Sequence, residues 1–252
     1  MLLDKKQIDC FLHKLNIKKD DTIFFHGNSM GISQVKGSTP KEKTDFFWKC
    51  VKKFIGEKGT IIVPSFTYSI NKTKIFDINK SKSKIGQFSE DFRQNNLSGR
   101  SSDPIFSVCT YGKEKKKIKK IPYYNSFGKD SIFGYLYSNN VKLICLGCGL
   151  EAVTFIHYVE QVLNVPYRKF KIFNAKIINK KRKIINKKIK FFCRIDNKNY
   201  NYNFNILKKE MVKKHKIRTT NFGRIKSYSF KARDFFSVCK ILIKKNNRIL
   251  ID

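Results

Sequence analysis

The residues best suited to chemistry lie together in the stretch 154–161, TFIHYVEQ. Thr154, His157, Glu160 and Gln161 recur at intervals of three and four, a spacing that lets side chains touch along a helix. Phe155, Ile156, Val159, Val162 and Leu163 fall on a different face and predict burial there. A histidine one turn from a carboxylate has the layout of a general base with its orienting partner. The carboxylate accepts one ring N–H and leaves the other nitrogen free to take a proton. A solvated His–Glu pair on an amphipathic helix has the same spacing, so both readings stand at this point.

These residues need a scaffold, and the flanking chain supplies one. Residues 141–146, VKLICL, form an apolar, β-rich run that predicts a strand buried on both faces, followed by Gly147-Cys148-Gly149. Thr154 is the expected N-cap of the next helix, and Pro166 marks its end. Earlier, residues 1–20 predict a helix, with His13 in a structural role beside its apolar face. A short strand over 22–25 runs into His26-Gly27-Asn28-Ser29-Met30-Gly31. Open α/β sheets place ligand-binding loops at such strand ends, and backbone N–H groups there can face a carbonyl oxygen or a phosphate. Thr39 and Pro40 open a helix with Phe46, Phe47, Cys50, Val51 and Phe54 on its apolar stripe. A buried strand over 59–64 then leads to Ser65-Phe66-Thr67, where Thr67 either bonds a ligand or merely ends the strand. Residues 71–84 are polar and predict a surface excursion. Residues 169–202 alternate apolar and basic types, which fits one or two edge hairpins kept soluble by lysine; a basic RNA- or membrane-facing surface is the functional alternative. Helices are expected over 206–216, with His215 exposed, and over 232–244.

Composition narrows the function classes. The chain has 54 Lys+Arg against 19 Asp+Glu, a formal net charge of +35. That invites a nucleic-acid reading, but no RNP aromatics, GXXG clamp or zinc finger accompanies the charge. The field should attract anions and repel polycations. The seven cysteines sit among apolar neighbours, as expected for reduced thiols in a reducing compartment. Cys145 and Cys148 read C-x-x-C, yet no second ligand pair completes a zinc site, so no metal is expected. No apolar run reaches the ~18 residues of a membrane span, and the expectation is a cytoplasmic protein.

TFIHYVEQ followed by VPYR resembles the Thr-x-x-His-x-x-Glu signature of the aminoglycoside 3-N-acetyltransferase family. Four further segments agree in order: HGNSMG, which departs from the commoner His-Ser-Ser turn; GTIIVPSFT; RSSDPIFS, with Asp103 where the family usually has histidine; and SFGKDSIF. The resemblance covers residues 22–168. It implies an α/β fold: a three-layer α/β/α core with a mixed, largely parallel sheet over 1–168, and a small C-terminal α+β portion over 169–252, together one continuous domain. It also implies an acetyl-CoA-dependent N-acetyltransferase with His157 as base and Glu160 orienting it. His26, Gly27, Ser29, Arg100 and Ser101 would border acetyl-CoA, and Thr67 and Thr154 the acceptor; for Arg100, a loop-shaping role is the alternative. The motif details resemble branches associated with surface-polysaccharide biosynthesis. With the basic charge, they lead us to expect an amino-sugar acceptor. An aminoglycoside acceptor, or a basic binding protein without catalysis, is the alternative.

Overall fold

The computed structural model describes residues 2–68, 73–96, 99–195 and 201–251. Helix α1 (Lys5–Lys14) starts at Asp4, which forms a reciprocal capping box with Gln7. Strand β1 (Thr22–Gly27) leads into the short helix α2 (Ser29–Ser33), capped by the Asn28 side chain. Helix α3 (Pro40–Ile55) has Thr39 as its N-cap and Pro40 in its first turn, and Gly56 ends it at φ +72°. Strand β2 (Thr60–Pro64), strand β3 (Ile75–Asp77) and helix α4 (Gln87–Asn95) follow. Strand β4 (Val108–Gly112), helix α5 (Lys115–Lys119), helix α6 (Ile132–Ser138) and strand β5 (Lys142–Leu146) lead to helix α7 (Ile156–Val162). Beyond it come the hairpin β6 (Arg168–Ile178) and β7 (Ile184–Arg194), helix α8 (Phe204–Lys213), strands β8 (Arg218–Phe222) and β9 (Ile225–Lys231), and helix α9 (Ala232–Lys245).

Six strands form the central sheet in the order β4-β2-β1-β5-β9-β8. Its three middle strands, β2, β1 and β5, are parallel; β4 and β9 join them antiparallel, and β8 pairs antiparallel with β9. Side chains on the middle strands alternate between two cores. Ile23, Phe25, Ile61, Val63, Ile144 and Leu146 pack under α1, α3 and α4, whereas Phe24, Ile62, Leu143 and Cys145 pack with residues of α6, α7, α8 and α9. Burial on both faces explains why these strands read as continuous apolar runs. The three layers are therefore helix, sheet, helix.

The C-terminal stretch packs on the core: β9 lies against β5, and α9 buries Phe235, Val238, Cys239 and Leu242 in the same core as Phe24. The excursion over 71–84 contains β3, which pairs in parallel with β6 to make a second sheet of order β3-β6-β7; residues 71–72 lie outside the described residues. The basic stretch 169–202 holds one long hairpin, and 196–200 likewise lie outside the described residues.

Candidate active site

Parallel strands β1 and β5 end side by side, with His26 opposite Cys145 and Gly27 opposite Leu146. The Asn28 N–H donates to the Leu146 carbonyl and extends that ladder by one step. Both following loops therefore open on one edge of the sheet, where parallel α/β sheets take ligands. After β5 the chain turns at Gly147 (φ +65°), where a Cβ would lie 2.7 Å from Ile225 Cγ2. It then reaches α7 through a single 3₁₀ turn, Leu150–Ala152.

Thr154 does not cap α7. Phe155 occupies the cap with no side-chain bond, while the Thr154 carbonyl accepts from the His157 N–H. The buried face is also rotated relative to the apolar pattern: Val162 is 41% exposed and Glu160 is wholly buried. A buried carboxylate needs partners, and several surround Glu160. His157 Nδ1 lies 2.8 Å from its Oε2, and the Tyr202 hydroxyl donates to Oε1 at 2.7 Å. Arg168 Nε stands 2.8 Å from Oε2 as an ion pair, without the alignment of a hydrogen bond. The other end of the guanidinium is fixed by the Phe192 carbonyl at 2.8 Å and the Tyr202 oxygen at 2.6 Å. Its Nη2 also comes within 2.9 Å of His157 Nδ1. The His157 ring meets Phe127 edge to face.

Charges around this cluster set its protonation. Burial alone would raise the Glu160 carboxyl, but the contacts with His157, Arg168 and Tyr202 outweigh it and hold the group below its ordinary range. Burial, and then the Arg168 charge, push His157 below its ordinary value against the pull of Glu160. The imidazole is thus neutral near pH 7. With Glu160 ionised, Nδ1 carries the proton that points at Oε2, and Nε2 keeps its lone pair.

Two cavities meet beside this histidine. One, about 430 Å³, is lined by His26, Gly27, Ser29, Phe88 and Cys148. The other, about 470 Å³, is lined by His157, Arg168, Phe191, Arg194 and Tyr202. Tyr68, Glu151 and Thr154 line both, so they form the threshold between the two halves. His26 is buried with no hydrogen-bond partner for its Nε2, and burial alone lowers its pKa to about 4. A neutral imidazole with an unmet polar atom leaves one hydrogen-bonding group at the wall of this cavity. Gly27 is needed because a Cβ there would sit 2.6 Å from the Phe88 ring.

The other sequence candidates lie elsewhere. Arg100 is 1% exposed, and its guanidinium donates to the carbonyls of Ile78, Ser81 and Ser65 and to Ser107 Oγ. It ties the loop after β3 to the end of β2 and has no donor turned to either cavity, so it is a framework residue and no phosphate clamp. Ser101 Oγ accepts the Val108 N–H, and Thr67 Oγ1 donates to the Pro104 carbonyl. Both are buried and line neither cavity. Asp103 accepts the N–H groups of Ile105 and Phe106 at 2.8 Å each and so closes a turn; burial raises its carboxyl to about 6. Sequence reasoning left Arg168 and Tyr202 without a role. The quoted VPYR carried Arg168, but nothing near Tyr202 pointed to α7, because that contact spans 42 residues.

The model of the family described as aminoglycoside 3-N-acetyltransferase matches residues 24–244. The chain belongs to that family and is by that membership an acetyl-CoA-dependent N-acetyltransferase. Solved structures with the same fold include the aminoglycoside acetyltransferase AAC(3)-IVa, at 16% identity over 99% of this chain and 92% of that one, with a TM-score of 0.79. The YokD protein of Bacillus subtilis aligns at 20% identity over 98% and 95%, with a TM-score of 0.77. The enzyme AAC-IIIb, solved with CoASH, aligns at 16% identity over 97% and 98%, with a TM-score of 0.80. No curated protein sequence matches the chain.

Proposed function

We propose that the chain acetylates the single amine of an amino sugar that also carries negative charge, such as a nucleotide-linked sugar made for a surface polysaccharide, and that it works in the cytoplasm. The observation behind this is the make-up of the cavity at His157. Its charged lining is Arg168, Arg194 and Glu151, and Arg168 already neutralises Glu160. One exposed carboxylate can hold one ammonium. Among the described residues the cavity offers no array of carboxylates for a drug with several, and a net charge of +35 repels such a ligand at long range.

In this reading acetyl-CoA presents a thioester carbonyl to the acceptor amine. His26, Gly27 and Ser29 would hold it in their half of the cleft. His157 Nε2 takes the proton the amine loses as its nitrogen bonds the carbonyl carbon, a contribution on the order of 10²–10⁴-fold; the C–S bond then breaks and coenzyme A leaves as the thiol, protonated from the imidazolium. Glu160 keeps that tautomer and offsets the charge then formed on the ring. Arg168 and Tyr202 hold Glu160 ionised and in place. Thr154, shared by both halves, lies where a hydroxyl can face the reacting carbonyl.

A second reading, a true aminoglycoside acceptor, is favoured by relatives of the same fold: AAC(3)-IVa has been solved with a gentamicin and with apramycin. Thiol release from acetyl-CoA separates the two. The anionic reading expects higher kcat/KM with nucleotide-linked amino sugars than with kanamycin-type drugs. The reverse order refutes it and leaves the acetyltransferase chemistry intact.

A further inference from the structure

The β6–β7 hairpin extends from the active site as a strongly basic arm. Between 168 and 194 the sequence holds twelve Lys or Arg and no Asp or Glu. Arg168 is taken up by Glu160 and Arg182 by Asp77 at 2.6 Å. Strand register sorts the remaining residues by face. Phe173, Ala175, Ile177 and Ile189 turn inward to the core. The opposite face pairs Ile172 with Lys190, Asn174 with Lys188, Lys176 with Asn186 and Ile178 with Ile184. Only its base is covered, where Phe192 is buried against Phe170.

That outer face combines two features that seldom share a surface. Ile172 is 64% exposed, Ile184 66% and Phe170 44%. Lysines stand among them, and Lys190 Nζ lies 3.8 Å from the Phe170 ring centre. Lysine alone would serve to keep an edge hairpin from aggregating; large aliphatic side chains on the same face work against that purpose. We propose that this face docks the protein on an anionic lipid bilayer, the lysines meeting acidic headgroups while Phe170, Ile172 and Ile184 enter the interface. A second copy is excluded as the occupant by like charge. A nucleic acid is disfavoured because two of the three exposed apolar groups are aliphatic and give no stacking platform. No helix among the described residues is long and apolar enough to cross a membrane, so attachment of this kind is peripheral, by charge and shallow insertion. Phe191 and Cys193 of the same hairpin line the acceptor cavity from the opposite face, so docking of the outer face leaves that cavity on the side turned away from the lipid.

The test is co-sedimentation of the full chain with phosphatidylcholine vesicles, with and without phosphatidylglycerol. Binding is expected only with phosphatidylglycerol, and it weakens as salt rises. Lys176→Glu/Lys188→Glu/Lys190→Glu and, separately, Ile172→Ser/Ile184→Ser should each lower the partition coefficient at least ~10-fold with an unchanged unfolding midpoint. If a multiple variant fails to fold, Ile172→Ser alone is read, with a smaller loss expected. Lys213→Glu/Lys214→Glu, at the last residue and C-cap of α8, should have little effect. No binding to acidic vesicles overturns the proposal, and so does an equal loss in the α8 variant, which means diffuse attraction. Tighter binding to a single-stranded RNA oligomer, abolished by the lysine reversals and indifferent to Ile172→Ser/Ile184→Ser, overturns it in favour of a nucleic-acid surface.

Discussion

Replacing Glu160 with glutamine tests the active-site reading most sharply, because the carboxylate has no access to solvent and three named partners. The amide keeps the shape and removes the charge. Removing one member of a buried ion pair costs about 3–5 kcal/mol. Arg168 retains the Phe192 carbonyl and the Tyr202 oxygen, so the lower end, about 3 kcal/mol, applies. For a chain of this size that is a fall in Tm of about 6–12 °C. The kinetic effect has a different origin. An amide oxygen turned to Nδ1 preserves the tautomer but no longer balances the imidazolium, so kcat should fall between ~10- and ~10²-fold, less than on removing the base. Differential scanning calorimetry and thiol-release kinetics measure the two effects. Adding Arg168→Gln removes the stranded cation, so the double variant should be more stable than the sum of the singles by about 1–3 kcal/mol. If Glu160→Gln keeps kcat/KM within about twofold of wild type, or if the stability effects simply add, the Glu160–Arg168 argument is wrong.

His157→Ala should fold and bind acetyl-CoA, measured by calorimetric titration, yet turn over at least ~10²-fold more slowly; near-normal turnover sinks the base assignment. Because His157 is held below its ordinary value and the neutral ring is the active form, kcat/KM should rise with pH through a value below ~6.5 and be level above it. The same sign makes this group's share of stability complete above ~6.5 and lost as pH falls, since the unfolded chain binds the extra proton; a kinetic limb above ~6.5 contradicts both. Asp103 is raised from 3.8 to about 6, so its charge costs stability at neutral pH, and Asp103→Asn should gain on the order of 2–3 kcal/mol at pH 8. That gain should vanish below about pH 4, where the aspartate is protonated in both states; chemical denaturation at the two pH values decides it. Exhaustive chelation should change neither Tm nor rate, with Cys145 and Cys148 reduced, and stoichiometric zinc after chelation and gel filtration would contradict this.

Where function rests on local sequence, the sequence could be read. The buried strands, the cap at Thr39 and the i, i+3 spacing of His157 and Glu160 all follow from neighbours within a few residues. The errors share one cause. Glu160 lies on what the apolar pattern marks as the solvated side of α7, and only Arg168 and Tyr202 make its burial tolerable; neither can be placed by periodicity. Arg100 matched a motif whose meaning depended on where the guanidinium turned, and carbonyls from the loop after β3 decided that. The position of β9 beside β5 is a long-range choice of topology that no neighbouring residue signals.

The two halves of the cleft draw differently on the chain, and this division bears on what the enzyme selects. The half at His26 is built by β1, α4 and the loop after β5, all within the stretch whose ordered motifs match the family. The half at His157 shares that stretch through Thr154, His157 and Arg168 but adds Phe191, Cys193 and Arg194 from the hairpin and Tyr202 and Phe204 from the segment after it, where the motif resemblance has faded. A donor common to the family needs a constant wall; an acceptor particular to one member needs a variable one. Exchange of acceptors should therefore follow changes at Arg194 and Phe191, which face the cavity without holding Glu160. Arg168 should take no part in that exchange, because the residue that lines this cavity is also the one that holds the Glu160 carboxylate ionised.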